Sequence, residues 1–588
     1  MWTLYQRLVG LCYLATFLSL LAYTQIVGLI GPLGVQPATL TVELIKDHPL
    51  RFPSIFSFLA PSSGALLGTT AVGAAASVLA VANVQVRASL LIAWACFLSI
   101  CTVGGEFFAY PWDSLLLEAG ALAVLVSPEP NALVCFAQRF LAFRLQLGMG
   151  MQKFYAVDAQ SEWWKGTYLD TFYVWQPMPT LAAWYAHHAG HPFHWLSTRV
   201  VLVSQSIVPF GMFGPRRVRL VCVLIFLSEQ VWIQLTGNYG IFNLLTAVLC
   251  SIPLVAPVGP LEAAPTAGLA ALNVFGGAFF LVRRLLVGTY TSYYPWLSAT
   301  SWLFSDGKAF EALPGPRLLR PLYLLATHVL RAAAPYRACN DYGIFRTGFG
   351  QPYKLVTVLL GHSRTSDESS PLVLRTGFHQ ATSGDAETRL NTRFNTSLPS
   401  WFAPHQPRLD HSFFYAGMHL NIGDAISHEQ HHLAPIATPD AFLRQVERAL
   451  LRCPNGTDVR SLFAAVPSDV DALRRVSAEC HLADDAPHTR PWAQMWRCTA
   501  LTQEEGEVER PPVDSTLNCS IDVFELEEKA WIGSRRRALQ SGLEREARLQ
   551  RPPLLDSALA LLVLALCTVP TAPLRALLRA RLRHLKTS

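Results

Sequence analysis

The sequence predicts an α-helical polytopic membrane protein, with about nine N-terminal helices, one C-terminal helix and a mixed, β-rich luminal domain between them. Three observations predict this. Of the 588 residues, 51% are apolar and only 15% charged, whereas soluble domains carry about a quarter. Charge is sparse up to about Val287 and dense from about Lys308 onward, so a membrane part is followed by a wetter one. Three N-glycosylation sequons, at Asn395, Asn455 and Asn518, all fall in the wetter part. The net charge of +6 is scattered, with no basic stripe interleaved with aromatics. The expected partner is therefore the lipid bilayer and not nucleic acid.

The first apolar run, about 8–33, is longer than a signal-peptide core and reads as a transmembrane helix. Further candidates lie at about 64–83, 86–103, 114–128, 131–151, 198–213, 217–235, 239–258 and 266–287. A last one falls within 552–573, bounded by prolines. With the N-terminus in the cytosol, Arg216, Arg217 and Arg219 are cytosolic too, as the positive-inside tendency requires. The same parity puts the Trp/His-rich loop at 152–197 in the lumen, together with everything from 288 to about 550. The basic tail, 574–588, returns to the cytosol. Arg283, Arg284 and the run Arg535-Arg536-Arg537 go against this tendency. The domain plan is thus a transmembrane domain over 1–287, a connecting segment over 288–336, a luminal domain over 337–535, and the final helix and tail.

Within the wetter part, 353–360 and 371–378 are β-rich runs separated by a Ser/Asp loop, which predicts paired strands. Apolar spacing predicts helices at about 440–452, capped by Thr438, and at about 469–479. The acidic stretch 500–516 reads as a loop. Of the twelve cysteines, seven sit in apolar runs as buried thiols. Cys339, Cys453, Cys480, Cys498 and Cys519 follow no C-x-x-C pattern, so no zinc ribbon or thioredoxin-type motif is expected. Disulfides among those five are plausible in an oxidising compartment, with the pairing open.

Candidate chemistry is sparse. His428-Glu429-Gln430-His431-His432 satisfies the H-E-x-x-H pattern of zinc peptidases, but Pro435 follows and no helical periodicity flanks it. His187, His188, His191 and His194 are interleaved with Trp184, Tyr185, Phe193 and Trp195, which favours an interfacial aromatic belt over a metal site. No metal and no cofactor are expected. Glu118, Arg139, Arg144, Gln146, Lys153, Glu229, Gln230 and Gln234 lie inside or beside apolar segments, where polar groups are costly and face the protein interior. They suit an internal ion-pair network, such as Glu118 with Arg139 or Arg144. They equally suit a cavity in which Lys153 acts as a base. Spacing leaves both open.

Seven pieces of the chain are familiar in order: YPWDSLLLEAG (110–120), RFLAFRLQLGMGMQK (139–153), WWKGTYLDTFYVWQPMP (163–179), WYAHHAGHPFHW (184–195), GNYGIFNLLT (237–246), NDYGIFRT (340–347) and PHQPRLD (404–410). Through them the chain resembles the lipase maturation factor family of endoplasmic reticulum membrane proteins. The resemblance covers about 110–415 and weakens beyond about 480. His411 and Phe414 stand where the family has tryptophans. It implies a multi-pass membrane chaperone, not an enzyme, that assists folding and dimer assembly of secreted lipases. Trp163, Trp164, Trp175, Trp184, Arg408 and Asp410 become candidates for client or luminal contacts. A more distant similarity links Gly148 to Tyr168 with the vitamin K-dependent gamma-glutamyl carboxylases. It implies the alternative, a membrane enzyme acting on luminal proteins with Lys153 as catalytic base.

Overall fold

In the computed structural model the described residues are 1–155, 162–176, 180–262, 264–293, 333–342 and 403–412, with four strands between 353 and 497 and a few single residues. The first part is a bundle of helices in chain order: α1 (Trp2–Leu21), α2 (Gln25–Ile30), α3 (Ala38–Ile45), α4 (Ser63–Val81), α5 (Val86–Val103), α6 (Pro111–Leu125) and α7 (Ala132–Tyr155). There follow α8 (Tyr168–Trp175), α9 (Leu181–His188), α10 (His191–Ser206), α11 (Arg216–Thr236), α12 (Phe242–Leu249), α13 (Ile252–Val255) and α14 (Pro265–Tyr293).

Local chemistry explains where these helices start. Ser62 accepts a hydrogen bond from the Ala65 amide and Thr180 one from Ala183, each capping the first turn that follows. Helix α6 opens with Pro111, whose fixed φ suits the first position, and places Asp113 at the positive end of the helix dipole. The first helix breaks at Tyr23 and Thr24, which both have left-handed backbone, and resumes as α2.

Aromatic side chains fill the core. The Tyr13, Phe17 and Phe97 rings meet at 6.0–6.3 Å, joining α1 to α5. The Tyr13 hydroxyl donates to the Leu116 carbonyl at 2.9 Å, which ties α1 to α6. Val200, Val203, Leu220, Val221, Leu224, Val231 and Leu235 remain outward-facing and exposed on α10 and α11. In water that would be a liability; against lipid tails it is the expected surface.

All nine predicted N-terminal stretches fall on helices, but they are not nine spans of equal standing. Among the described residues six helices are long and apolar enough to cross a membrane by length and composition: Trp2–Ile30, Ser63–Val81, Val86–Val103, His191–Phe213, Arg216–Thr236 and Pro265–Val282. The predicted span 114–128 is the 15-residue α6. The span 239–258 is broken at Ser251 into two short helices. The span 131–151 lies in α7, which is long enough but carries Arg139, Arg144 and Lys153 and buries the last two inside the bundle. Helices with internal polar partners keep apolar composition without facing lipid, which is why window reading counted them.

Two further expectations need correcting. The segment 152–197 is not an open loop, since it holds α8, α9 and the start of α10. The predicted helix at 469–479 is a strand, β3 (Leu473–Asp484). Its alternation of Val476, Ala478, Cys480 and Leu482 also satisfies period two, and pairing on both sides decides between the readings. It pairs antiparallel with β1 (Tyr353–Ser363) and with β4 (Met495–Arg497). Strand β1 also pairs antiparallel with β2 (Leu372–Leu374), bringing Leu360 opposite Val373. The sheet order is β2-β1-β3-β4. The expected pairing of the two β-rich runs is therefore present over the described residues Leu372–Leu374 of the second run. The sequons, the H-E-x-x-H stretch, 500–516, the C-terminal helix and the basic tail lie outside the described residues, as does most of 440–452.

Candidate functional site

Helix α6 is the hub of the molecule, because its two carboxylates each capture a segment from beyond the helical bundle. Asp113 and Glu118 are both fully buried. The Arg408 guanidinium forks onto Asp113, with Nη1 to Oδ2 at 2.8 Å and Nη2 to Oδ1 at 2.7 Å. Nη1 also donates to the Phe107 carbonyl at 2.6 Å, and the guanidinium lies 4.2 Å over the Phe108 ring. A planar bidentate pair of this kind is the strong form of ion pair. Around it the segment 403–412 is sewn to α1, to α2 and to the connection between α11 and α12. The Arg408 amide donates to Gln25 Oε1 at 2.7 Å, the Gln406 amide to Ser19 Oγ at 2.9 Å, and the Ala403 amide to Asn238 Oδ1 at 3.3 Å.

Glu118 does the same for 338–342. It forms an ion pair with Arg144 of α7. It also accepts from the Tyr342 hydroxyl at 2.6 Å, the Asn340 amide at 2.9 Å, the Asn340 side chain at 3.0 Å and Asn273 Nδ2 at 2.6 Å. Arg144 donates to the Asn340 carbonyl at 2.6 Å and lies 5.4 Å over the Tyr342 ring. Two of the motif pieces, NDY and PHQPRLD, are thus plugs that seat in the bundle. The expected partner choice for Glu118 resolves to Arg144; Arg139 instead donates to the Pro253 carbonyl at 3.2–3.3 Å.

Lys153 belongs to a different cluster. Its Nζ donates to the Met149 carbonyl at 3.0 Å and to Gln205 Oε1 at 2.7 Å, and lies 4.9 Å from the Trp163 ring centre. Gln205 in turn donates to Glu229 Oε1 at 2.6 Å. The close approach of α7 and α10 requires Gly150, where a Cβ would sit 2.4 Å from the Gln205 carbonyl oxygen. Lys153, at 2% exposure, has three partners around its ammonium: a carbonyl, an amide oxygen and an indole ring. Glu118 and Arg144 pair with each other elsewhere, so Glu118 with Arg144 and Lys153 with Gln205 and Glu229 are two clusters.

The candidate contact residues divide by burial. Trp163 is buried, stacked on Tyr168 at 3.9 Å between ring centres. Trp164 is 50% exposed, with its carbonyl held by the Arg199 guanidinium. Trp175 ends α8 and Trp184 lies within α9. Arg408 and Asp410 are buried. Gly166 separates the tryptophan pair from α8 with φ +84°, and a Cβ there would strike Trp195 at 2.4 Å. Of the histidines, His191 and His194 turn to Asp170, with Nδ1 to carboxylate distances of 3.0 and 2.7 Å. His194 Nε2 also bonds the Ala186 carbonyl at 2.8 Å. Among the described residues no group of three or more His, Cys, Asp or Glu side chains is arranged to hold a metal ion. Sequence reading missed Asp113, Asn273 and Gln205, all short polar residues in apolar segments. Their only signal was being polar there.

These features define a helical membrane protein whose later segments are locked into the bundle by buried ion pairs. Residues 2–256 match the family described as the lipase maturation factor transmembrane domain. The chain is 36% identical over 274 residues to lipase maturation factor 2 of Rattus norvegicus, covering 41% of this chain and 38% of that protein. With lipase maturation factor 2 of Homo sapiens the identity is 35% over 271 residues, with the same coverage. With lipase maturation factor 1 of Mus musculus it is 26% over 265 residues, covering 41% of this chain and 45% of that one. The chain therefore spans less than half the length of these relatives. No solved structure matches it.

Proposed function

We propose that the protein is a multi-pass endoplasmic reticulum membrane chaperone that assists folding and dimer assembly of secreted lipases. The observation that carries this reading is the match of residues 2–256 to the lipase maturation factor transmembrane domain. The geometry supports a scaffold: the buried ion pairs Asp113–Arg408 and Glu118–Arg144 join helices to the two plugs. In this reading the bundle holds the distal region, including the three sequons at Asn395, Asn455 and Asn518, on the luminal side. Exposed aromatics such as Trp164 then meet partly folded clients. Deleting the protein from its own cells should lower the specific activity and dimer fraction of secreted lipase. Normal values for both would reject the proposal.

One observation favours a second reading, a carboxylase-like enzyme: Lys153 is buried beside Gln205 and Glu229. Against it, Lys153 can take a proton only as a neutral amine, whereas its Nζ is held as a donor by the Met149 carbonyl and Gln205 Oε1. Lys153→Met separates the two. The chaperone reading expects it to restore lipase secretion in deleted cells to at least about half of wild type, because the two hydrogen bonds lost tie α7 to α10 and touch no reacting group. Complete loss of activity, at normal protein level, would support the enzyme.

A further inference from the structure

One end of the bundle carries six arginines, Arg7, Arg87, Arg139, Arg216, Arg217 and Arg219, against the two carboxylates Glu129 and Glu262 of its connecting loops. The starts of α1, α5, α7 and α11 gather there with the ends of α4, α6 and α13. Cross-bonds place them together: Trp2 Nε1 to the Pro257 carbonyl at 2.8 Å, Arg7 Nε to Val81 at 2.7 Å, Arg87 Nε to Val124 at 2.8 Å and the Ala132 amide to Pro260 at 3.0 Å. Arg7 and Arg87 thus cap helix C-termini, where a cation is favoured. Arg139 and Arg219 are placed differently. Arg139 directs Nε and Nη2 at the single Pro253 carbonyl. Arg219 spends Nη1 on the Gly214 carbonyl at 2.7 Å, while its Nε is buried with no hydrogen-bond partner. The two guanidinium groups lie within electrostatic reach of each other. Among the described residues neither forms an ion pair with a carboxylate.

Two neighbouring half-buried arginines with a spare buried donor are arranged for an anion, and a guanidinium fork suits phosphate oxygens. An apolar strip adjoins them. Phe213, one residue before Gly214, meets Phe136 at 5.8 Å and Phe143 at 5.0 Å, and Phe210 meets Phe143 at 5.4 Å. Phe136, Phe210 and Phe213 are exposed. Arg216 and Arg217, exposed on the first turn of α11, add positive field at the same level.

We propose that Arg139 and Arg219 bind the phosphate of an anionic phospholipid in the leaflet at this end of the bundle, with its acyl chains along Phe136, Phe210 and Phe213. The contiguous exposed rings single out a lipid over free phosphate, which has no use for them. The site would fix the depth and rotation of α7 and α11, and it is independent of the chaperone reading.

The test is native mass spectrometry of the full-length protein in detergent, titrated with phosphatidylserine, phosphatidylcholine or inorganic phosphate. Wild type should retain phosphatidylserine about tenfold better than phosphatidylcholine, and the Arg139→Gln/Arg219→Gln variant should lose that preference. Arg7→Gln should keep it, and Arg219→Lys, charged but without the fork, should fall between. If the double variant aggregates, Arg219→Gln alone is read against wild type. Equal phosphatidylserine retention by that variant and wild type overturns the proposal. So does no headgroup preference in wild type, or displacement of the lipid by millimolar inorganic phosphate.

Discussion

Removing Arg408 should release residues 403–412 from the bundle while leaving the bundle folded. The side chain makes three hydrogen bonds, two of them to Asp113, and packs on Phe108. Arg408→Met leaves the Asp113 carboxylate buried and uncompensated, which costs about 3–5 kcal/mol. Asp113→Asn strands the guanidinium and costs a similar amount. Replacing both, Asp113→Asn with Arg408→Met, removes the buried charges together, so the pair should couple by about 2 kcal/mol or more. Hydrogen exchange reads the opening of this segment directly, because its amides are bonded to Gln25, Ser19 and Asn238 only while it is seated. Each single variant should speed exchange at 403–412 by at least about a hundredfold, with the double variant partly protected again. Unchanged exchange in both single variants, or strictly additive effects, would refute the reasoning that this ion pair holds the segment.

Other outcomes follow from the same geometry. Glu118→Gln keeps hydrogen-bond capacity but loses the charge opposite Arg144, so it should destabilise by about 2–4 kcal/mol, less than Glu118→Ala, in thermal melts of the purified protein. Gly166→Ala forces a side chain onto φ +84° and against Trp195; it should cost about 1–3 kcal/mol and shift tryptophan emission to the red as the packing around Trp163 opens. Burial pushes the His411 imidazole down to about 4, with Arg408 and His405 reinforcing it. The ring is therefore neutral when folded and takes up a proton only on unfolding. Stability should be full above about pH 6.5 and fall as pH drops toward 4, and melts across that range should show a shallower slope in His411→Phe, with the buried His405 supplying the remainder. Removing the sequons at Asn395, Asn455 and Asn518 one by one should raise gel mobility stepwise; no shift at any site would contradict a luminal, glycosylated distal region.

The helical, membrane-spanning character was legible in the sequence because apolar runs of about twenty residues have few other uses. Span number was less legible. A window sees composition and not surroundings, so α7 reads as lipid-facing although Arg144 and Lys153 have partners inside the bundle. The strand at 473–484 was misread for a related reason. Its residues fit both periods, and only neighbours on either side, at β1 and β4, settle the choice.

By itself the sequence determined the apolar helices, the division of charge along the chain, the α6 and α7 motifs and the list of polar residues that could not face lipid. The tertiary structure decided which of those residues meet. Glu118 and Arg144 are 26 positions apart by number, and Asp113 and Arg408 are 295 apart. No periodicity spans such distances, because it reports which face a residue occupies and not which distant segment arrives there. Seating of the plug at 403–412 placed Arg408 and Asp410 in the interior, while stacking on Tyr168 buried Trp163 and left Trp164 as the exposed member of the tryptophan pair.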